Sequence, residues 1–176
     1  MRYKIKDIPA DGLVVDQELA RSLLGDALVG IDADLDATTG HVRVELSKDR
    51  DDNVFANGEL KALVTLPCAL CLAPALVKVS SRIKMTFVAP GEKEPSDSED
   101  PLDDVDVTAH DGQEVDLGAY LREQIILALP ISARCRDNCA GLCSICGQNK
   151  NERDCGHKPP ALEDPRFQAL KNLKLD

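Results

Sequence analysis

Three segments of the chain alternate apolar and polar residues, which is the pattern of a β-strand with one buried face. They are HVRVEL (residues 41–46), GELKALVTLP (58–67) and ALVKVSSRIKMTF (75–87). Apolar residues such as Val42, Val44 and Leu46 stand at every second position, and charged residues such as Arg43 and Lys61 stand between them. The alternation predicts an antiparallel sheet with one face in water and the other face covered.

Three other segments have apolar residues at helical spacing. They are QELARSLLG (17–25), DLGAYLREQIILALP (116–130) and DPRFQALKNLKL (164–175). In the second segment the apolar stripe predicted to cover the sheet consists of Leu117, Tyr120, Leu121, Ile125, Ala128 and Leu129. Asp116 can cap its start and Pro130 stops it, whereas Asp16 and Gly25 are the expected limits of the first helix.

These elements predict the α+β fold class, with an antiparallel β-sheet covered by helices. We expect an α+β domain over residues 1–130 and a cysteine-rich module with a C-terminal helix over residues 131–176. The stretch EKEPSDSEDPLDDVD (92–106) has eight acidic residues in fifteen and almost nothing to bury. It is therefore predicted to be an acidic linker or loop inside the first domain.

The net charge of −10 comes from one region. Residues 92–128 hold 12 acidic and two basic residues, so the rest of the chain is neutral. The total charge therefore gives no support to nucleic-acid binding. Only 3% of residues are aromatic and none is Trp, which argues against a module that stacks several bases on its rings.

Composition and missing motifs limit the function classes further. The longest apolar runs are far shorter than the roughly 18 residues that span a bilayer, and the charged start MRYKIKDIP is unlike a signal peptide. We therefore expect a cytoplasmic protein without a membrane partner. HExxH, phosphate-binding glycine loops and nucleophile elbows are absent. The sequence thus predicts no enzymatic activity and no small-molecule substrate.

Eight residues with sulfur or imidazole side chains are candidate metal ligands. Five cysteines and one histidine fall in CRDNCAGLCSICGQNKNERDCGH (135–157), and CALC (68–71) lies between two predicted strands. The candidates are Cys68, Cys71, Cys135, Cys139, Cys143, Cys146, Cys155 and His157. Seven cysteines in a reducing cytosol fit paired disulfides poorly, whereas thiolate-rich sets select Zn²⁺, with an iron–sulfur cluster as the main competitor. His41 and His110 stand apart and are expected to be solvated or structural.

The eight candidates divide naturally into two tetrahedral sets. One predicted set is Cys68, Cys71, Cys135 and Cys139, which would tie the hairpin to the end of the covering helix. The other set is Cys143, Cys146, Cys155 and His157, in which Gly147 permits the positive φ of a metal knuckle. An alternative is a single metal held by Cys139, Cys143, Cys146 and Cys155, with Cys68 and Cys71 as plain packing. The prediction is thus one or two Zn²⁺ per chain, and residues 131–176 are accordingly expected to form a C-terminal zinc-knuckle, zinc-binding module.

The order of these motifs resembles a known family. It comprises the CxxCL hairpin (68–72), an acidic spacer, ILALP (126–130), CxxxCxGLCxxCGxNxN (135–151), Cys155 and DPRFxALKNL (164–173). This order is similar to that of the YceD family of large ribosomal RNA accumulation proteins, whose usual last cysteine is replaced here by His157. The resemblance implies a bacterial cytoplasmic protein that promotes accumulation of large-subunit ribosomal RNA.

Three functional classes follow from these observations. The first is a non-enzymatic zinc-binding factor in ribosome assembly whose partner is ribosomal RNA or a pre-ribosomal particle. Its candidate phosphate contacts are Arg134, Arg136, Lys150, Arg153 and Lys158. The second class is a protein adaptor that binds a basic ribosomal protein through the acidic spacer. The third is a thiol redox protein, although neither CxxC pair has the expected position at a helix N-terminus.

Overall fold

The computed structural model describes residues 1–90 and 106–157 of the chain. Within these ranges it contains seven strands and two α-helices. They are β1 (Arg2–Lys4), β2 (Leu13–Glu18), α1 (Arg21–Ala27), β3 (Asp34–Lys48), β4 (Val54–Pro67), β5 (Pro74–Val88), β6 (Asp106–Ala109), β7 (Glu114–Asp116) and α2 (Leu117–Ala128). A 3-10 turn covers Ile5–Asp7.

Five strands form the main sheet in the order β2, β3, β4, β5, β6, and β1 pairs with β7 in a second, two-stranded sheet. Neighbours from β2 to β5 are antiparallel, as the alternation predicted. The long β4–β5 hairpin pairs residues from Val54 with Phe87 to Pro67 with Pro74. Its tip is therefore the six-residue segment 68–73, which carries the first two cysteines.

Both helices contribute to a core on one face of the main sheet. α1 contacts β3 and α2, and α2 contacts β5. Val42, Leu60 and Ile83 of the sheet share one buried cluster with Leu24 of α1 and Leu121 of α2. The expected wet face, covered face and covering helix are thus present.

The α2 helix confirms most of its predicted features. Asp116 is its N-cap residue, and its Oδ1 accepts a hydrogen bond from the Ala119 amide at 3.1 Å. The helix ends at Ala128, before Pro130. Ala128 itself is exposed although spacing placed it on the apolar stripe, because the last turn extends past the sheet-covering contacts of Leu121 and Ile125.

Two details of the predicted elements are wrong. Asp16 does not cap the first helix but lies in β2 opposite Arg43, and α1 begins only at Arg21 and includes Gly25. Pairing of residues 13–18 with β3 provides hydrogen-bond partners for the backbone groups at the edge of β3. This pairing outweighs the local preference of Asp16 for a helix N-cap. The main sheet is also not wholly antiparallel, because β6 runs parallel to β5.

Several predictions fall outside the residues that the structure describes. They concern the acidic stretch up to residue 105, the helix at 164–175 and Lys158. The division into a domain over 1–130 and a module over 131–176 stays a prediction. Among the described helices, none has both the length and the apolar composition needed to cross a membrane.

Candidate metal centres

The first cluster joins the tip of the β4–β5 hairpin to the chain after α2. The hairpin supplies Cys68 and Cys71, and the chain after α2 supplies Cys135 and Cys139. The Ala69 amide donates to the Ala133 carbonyl at 2.8 Å, and the Leu142 amide donates to the Leu70 carbonyl at 2.9 Å. Backbone hydrogen bonds from residues 69 and 70 of the hairpin tip therefore hold the two segments side by side.

Distances between the four sulfurs fit a tetrahedral metal site. Cys68 Sγ lies 3.8 Å from Cys139 Sγ, and Cys71 Sγ lies 3.6 Å from Cys135 Sγ. Zn–S bonds of about 2.3 Å place the sulfurs of a tetrahedron about 3.8 Å apart, whereas a disulfide brings them to about 2.05 Å. All four cysteines are free, and all four sulfurs lie within 4.8 Å of one another. The set therefore has the geometry of a metal site rather than of disulfides.

Polar groups around the first cluster favour some thiolates over others. The amide N–H of Cys135, followed by that of Leu70, lowers the pKa of Cys68 to about 6. Burial and the neighbouring Cys71 thiol raise the pKa of Cys135 to about 12. A bound dication favours the thiolate form of every ligand at once, because metal binding displaces the thiol protons. The cluster is thus suited to a cation that can offset four close negative charges.

The second cluster is formed within one short segment. Its members are Cys143, Cys146, Cys155 and His157, and their ligand atoms lie within 4.8 Å of one another. The Cys143 amide donates to the Gln148 carbonyl at 2.8 Å, and Leu142 forms a β-bridge with Asn149. Amide N–H groups of Cys146 and Ile145 lower the pKa of Cys143 to about 6. This set also offers one sulfur or nitrogen ligand from each of four residues.

The two CxxC segments have the same turn. In the second cluster, the Gly147 amide donates to the Cys143 carbonyl at 2.8 Å and Gly147 has a φ of +72°. In the first cluster, the Leu72 amide donates to the Cys68 carbonyl at 2.9 Å and Leu72 has a φ of +62°. A left-handed φ is unfavourable for leucine. The hairpin tip therefore has the knuckle conformation even though its sequence lacks the glycine that marks one.

Asn151 connects the two clusters and was missed by the sequence analysis as a site residue. Its Nδ2 donates to Cys139 Sγ at 3.3 Å, and its Oδ1 accepts from the Ala140 amide at 2.8 Å. Asn149 Oδ1 in turn accepts from the Asn151 amide at 3.0 Å. The only signal in the sequence was the NxN that follows Cys146 and Gly147. Asn151 thus orients a sulfur of the first cluster from the loop of the second.

The predicted phosphate contacts surround these clusters. Arg134, Arg136 and Arg153 are exposed and Lys150 is partly exposed. None of these four forms an ion pair with a described residue. Their role in RNA binding stays a prediction.

The other two described histidines lie outside both clusters. His41 Nε2 is 3.0 Å from Asp16 Oδ1 on the exposed sheet face. His110 is buried, with Nε2 3.0 Å from the Asp52 carbonyl oxygen, and its Nδ1 accepts from the Gly112 amide at 2.9 Å. Both positions agree with the solvated or structural roles that their sequence context predicted.

The fold and the two clusters define an α+β protein with two four-residue sets that could each hold a metal ion. The sequence profile of the family described as large ribosomal RNA subunit accumulation protein YceD matches residues 56–174. The chain belongs to this family. The match starts in β4 and includes every residue of both clusters.

Individual relatives come from bacteria and from plants. An uncharacterized protein of Mycobacterium tuberculosis is 28% identical over 122 residues, which cover 69% of this chain and 56% of the relative. The chloroplastic large ribosomal RNA subunit accumulation protein YCED homolog 1 of Zea mays is 28% identical over 142 residues, covering 67% of this chain and 48% of the relative. Its Arabidopsis thaliana counterpart is 34% identical over 64 residues, covering 35% of this chain and 19% of the relative.

The chain therefore spans about half the length of the mycobacterial and maize relatives that it matches. No solved structure matches it significantly.

Proposed function

We propose that the protein is a non-enzymatic, zinc-binding factor that supports the accumulation of large-subunit ribosomal RNA during ribosome assembly in the cytoplasm. Family membership supports the ribosomal part of this proposal. The observation that carries the metal part is the separation of eight ligands into two sets of four. Thiolates and imidazole in tetrahedral sets are the ligands that zinc prefers in proteins.

The metal in each set would be structural. Zinc would be held by Cys68, Cys71, Cys135 and Cys139 in the first set and by Cys143, Cys146, Cys155 and His157 in the second. Four protein ligands fill a tetrahedral shell, so no position is left for the water or substrate that a catalytic zinc needs. Cys68 and Cys71 are buried against the core, so the first metal would anchor the segment after α2 to the sheet.

The proposed partner is ribosomal RNA in a pre-ribosomal particle. Arg134 and Arg136 flank the first cluster, and Lys150 and Arg153 lie in the loop of the second. Unpaired, exposed cations on a rigid metal-bound segment can bind phosphates without large ordering costs. The two clusters would thus hold these four side chains in fixed positions against the RNA backbone.

The test combines metal analysis with sedimentation of the tagged full-length protein. Purified protein should contain about two zinc ions per chain, and the C68S/C71S variant should contain about one. Ala69→Ser in the same hairpin tip is the matched control and should keep both metals. A protein without zinc, or one that carries iron and sulfide, would contradict the metal assignment, and one zinc that survives C68S/C71S would contradict the division.

The functional readout is cosedimentation with large-subunit precursors in cell extracts. Wild-type protein should sediment with these particles, and R134Q/R136Q/K150Q/R153Q should lose this association while it keeps its zinc. The charge-matched variant K4Q/K6Q/R21Q/R50Q should behave as wild type. If wild-type protein stays at the top of the gradient in growing cells, the ribosomal role is wrong.

A further inference from the structure

The uncovered face of the main sheet has a charge distribution that the metal clusters do not explain. Val54, Ala56, Ile83 and Met85 point into the core, so the residues between them in β4 and β5 point to the opposite face. The buried residues of both helices belong to the core on the other face, and the side chains of this face are mostly exposed. It is therefore free for a partner, as far as the described residues are concerned.

Strand β5 presents only cations among its charged side chains on this face. Lys78, Arg82 and Lys84 are exposed and form no ion pair with any described residue. The rise of a strand places Arg82 and Lys84 about 7 Å apart, and Lys78 and Arg82 about 13 Å apart. Ser80, between Lys78 and Arg82, and Thr86, beyond Lys84, carry no charge. β5 thus carries a row of three unpaired positive charges.

Acidic residues of the same face lie on β2, β3 and β4: Glu18 and Glu45 form no ion pair with a described residue, whereas Asp16 and Glu59 do. In β2, Asp16 lies 3.0 Å from His41 and 3.6 Å from Arg43. In β4, Glu59 pairs with Lys61 at 2.7 Å. β5 itself contains no acidic residue, and Glu59, which lies opposite Arg82 in the ladder, forms its ion pair with Lys61 of its own strand, so the β5 side of the face is positive in a protein whose net charge is −10. An anionic partner is the one that this half of the sheet attracts.

An aromatic ring lies beside this row. Phe55 stands between the buried residues Val54 and Ala56, so its ring points to the outer face, where it is partly exposed. It pairs with Thr86 across the β4–β5 ladder, and its diagonal neighbour is Lys84. A partly exposed ring next to a cation on a sheet surface is the combination that single-stranded nucleic acids use for base stacking and phosphate binding.

We propose that this face, defined by Lys78, Arg82, Lys84 and Phe55, is a second RNA-binding surface for a single-stranded segment. The inference rests on the proposed function and extends it to a part of the molecule outside the metal clusters. The three cations bind backbone phosphates of one strand, with a phosphate left over between Lys78 and Arg82, and Phe55 stacks on one base. A row of separated positive charges fits the repeated phosphates of a nucleic acid, and a ring beside the row fits one of its bases.

The surface is continuous with the proposed contacts at the first cluster. β5 begins at Pro74, directly after the hairpin tip that carries Cys68 and Cys71, and Lys78 lies four residues into the strand. Arg134 follows Ala133, whose carbonyl accepts a hydrogen bond from the Ala69 amide in that tip. One RNA strand can therefore pass from the cluster along β5 towards Phe55.

The test is binding of the full-length protein to a fluorescein-labelled, single-stranded RNA of mixed sequence at several salt concentrations. K78Q/R82Q/K84Q should bind about tenfold or more weakly, and the slope of log affinity against log salt should fall by about two units. Phe55→Leu should bind about tenfold more weakly with the same salt slope, because it removes a stacking contact and no charge. The charge-matched variant K4Q/K6Q/R50Q should retain both wild-type affinity and slope.

The outcomes separate this inference from the proposed function. One outcome is that K78Q/R82Q/K84Q binds RNA with wild-type affinity and salt slope, whereas R134Q/R136Q/K150Q/R153Q binds RNA more weakly. In that case the sheet face is not an RNA surface, but the proposed function stands. If the triple variant loses binding only to a labelled polyglutamate peptide, the face binds acidic proteins and the inference is wrong. If wild-type protein does not sediment with large-subunit precursors, the proposed function itself fails. Zinc content and far-UV circular dichroism of each variant show that it is folded.

Discussion

Substitution of Gly147 by alanine should weaken metal binding at the second cluster. Gly147 follows Cys146, has a φ of +72°, and donates its amide to the Cys143 carbonyl at 2.8 Å. A Cβ at this position would meet no atom within 4 Å. The substitution therefore adds no steric clash, and its cost is that of a left-handed backbone in an L-residue, about 1–2 kcal/mol.

This cost should be expressed as lost zinc affinity. The turn at Gly147 holds the amides of Ile145 and Cys146 towards the Cys143 thiolate, whose pKa they lower to about 6. If the backbone relaxes away from this turn when metal is absent, the whole penalty falls on the bound state. At about 1.4 kcal/mol per tenfold, we expect zinc binding to be about fivefold to thirtyfold weaker.

The measurement is competition with a chromogenic zinc chelator in the C68S/C71S background, in which only the second cluster is complete. Gly30→Ala is the matched control, because Gly30 has a φ of +80° and open space at its Cβ but lies in the turn after α1, outside both clusters. It should lower the free energy of unfolding without changing zinc affinity. Unchanged zinc affinity in Gly147→Ala, or an equal loss in Gly30→Ala, would refute the link between turn geometry and metal binding.

Two other substitutions test the first cluster and the start of α2. Asn151→Ala removes the hydrogen bond to Cys139 Sγ and should weaken zinc binding by the first cluster about tenfold or more. Chelator competition measures this loss, with the exposed Asn57→Ala as the control. An equal loss of zinc affinity in both variants would contradict the role of this hydrogen bond. Asp116→Ala should cost about 1 kcal/mol in urea unfolding. Although partial burial raises the pKa of Asp116, the Ala119 amide and Arg2 lower it overall, so this contribution is present above about pH 4. The difference between wild type and variant should shrink as the pH falls below that value, and a constant difference would show that the cap does not depend on ionisation.

Local periodicity was enough to predict the central part of the fold. Alternation in residues 41–46, 58–67 and 75–87 fixes which side chains face the core, because the period of a strand is two and a slip of one residue would expose the whole apolar set. The start of α1 could not be predicted in this way. Residues 13–18 become the edge strand through pairing with β3, and such a long-range contact leaves no mark in local capping preferences.

The candidate ligands could be predicted because metal sites depend on residue type and spacing. Cysteine pairs two residues apart and a glycine after Cys146 are visible in the sequence, and the structure brings together the same two sets of four. The supporting contacts were less visible. The sequence did not show that Leu72 adopts a left-handed φ, or that Asn151 contacts a sulfur, because both follow from how the two segments pack.

The two clusters differ in what their metals would stabilise. The second cluster joins residues 143–157, so its metal closes a short loop and would order a segment that has almost no apolar residues to bury. The first cluster joins sulfurs that are 64 and 71 residues apart in the sequence. A link across such a distance closes a long loop, which includes β5, the acidic region and α2, and therefore removes more entropy from the unfolded chain.

Loss of the first metal should thus free the whole cationic segment after α2 from the sheet, whereas loss of the second should disorder only the loop that carries Lys150 and Arg153. An RNA strand that contacts both Arg134 and β5 would be more sensitive to the first loss, because the first cluster joins these two surfaces whereas the second lies within a single segment.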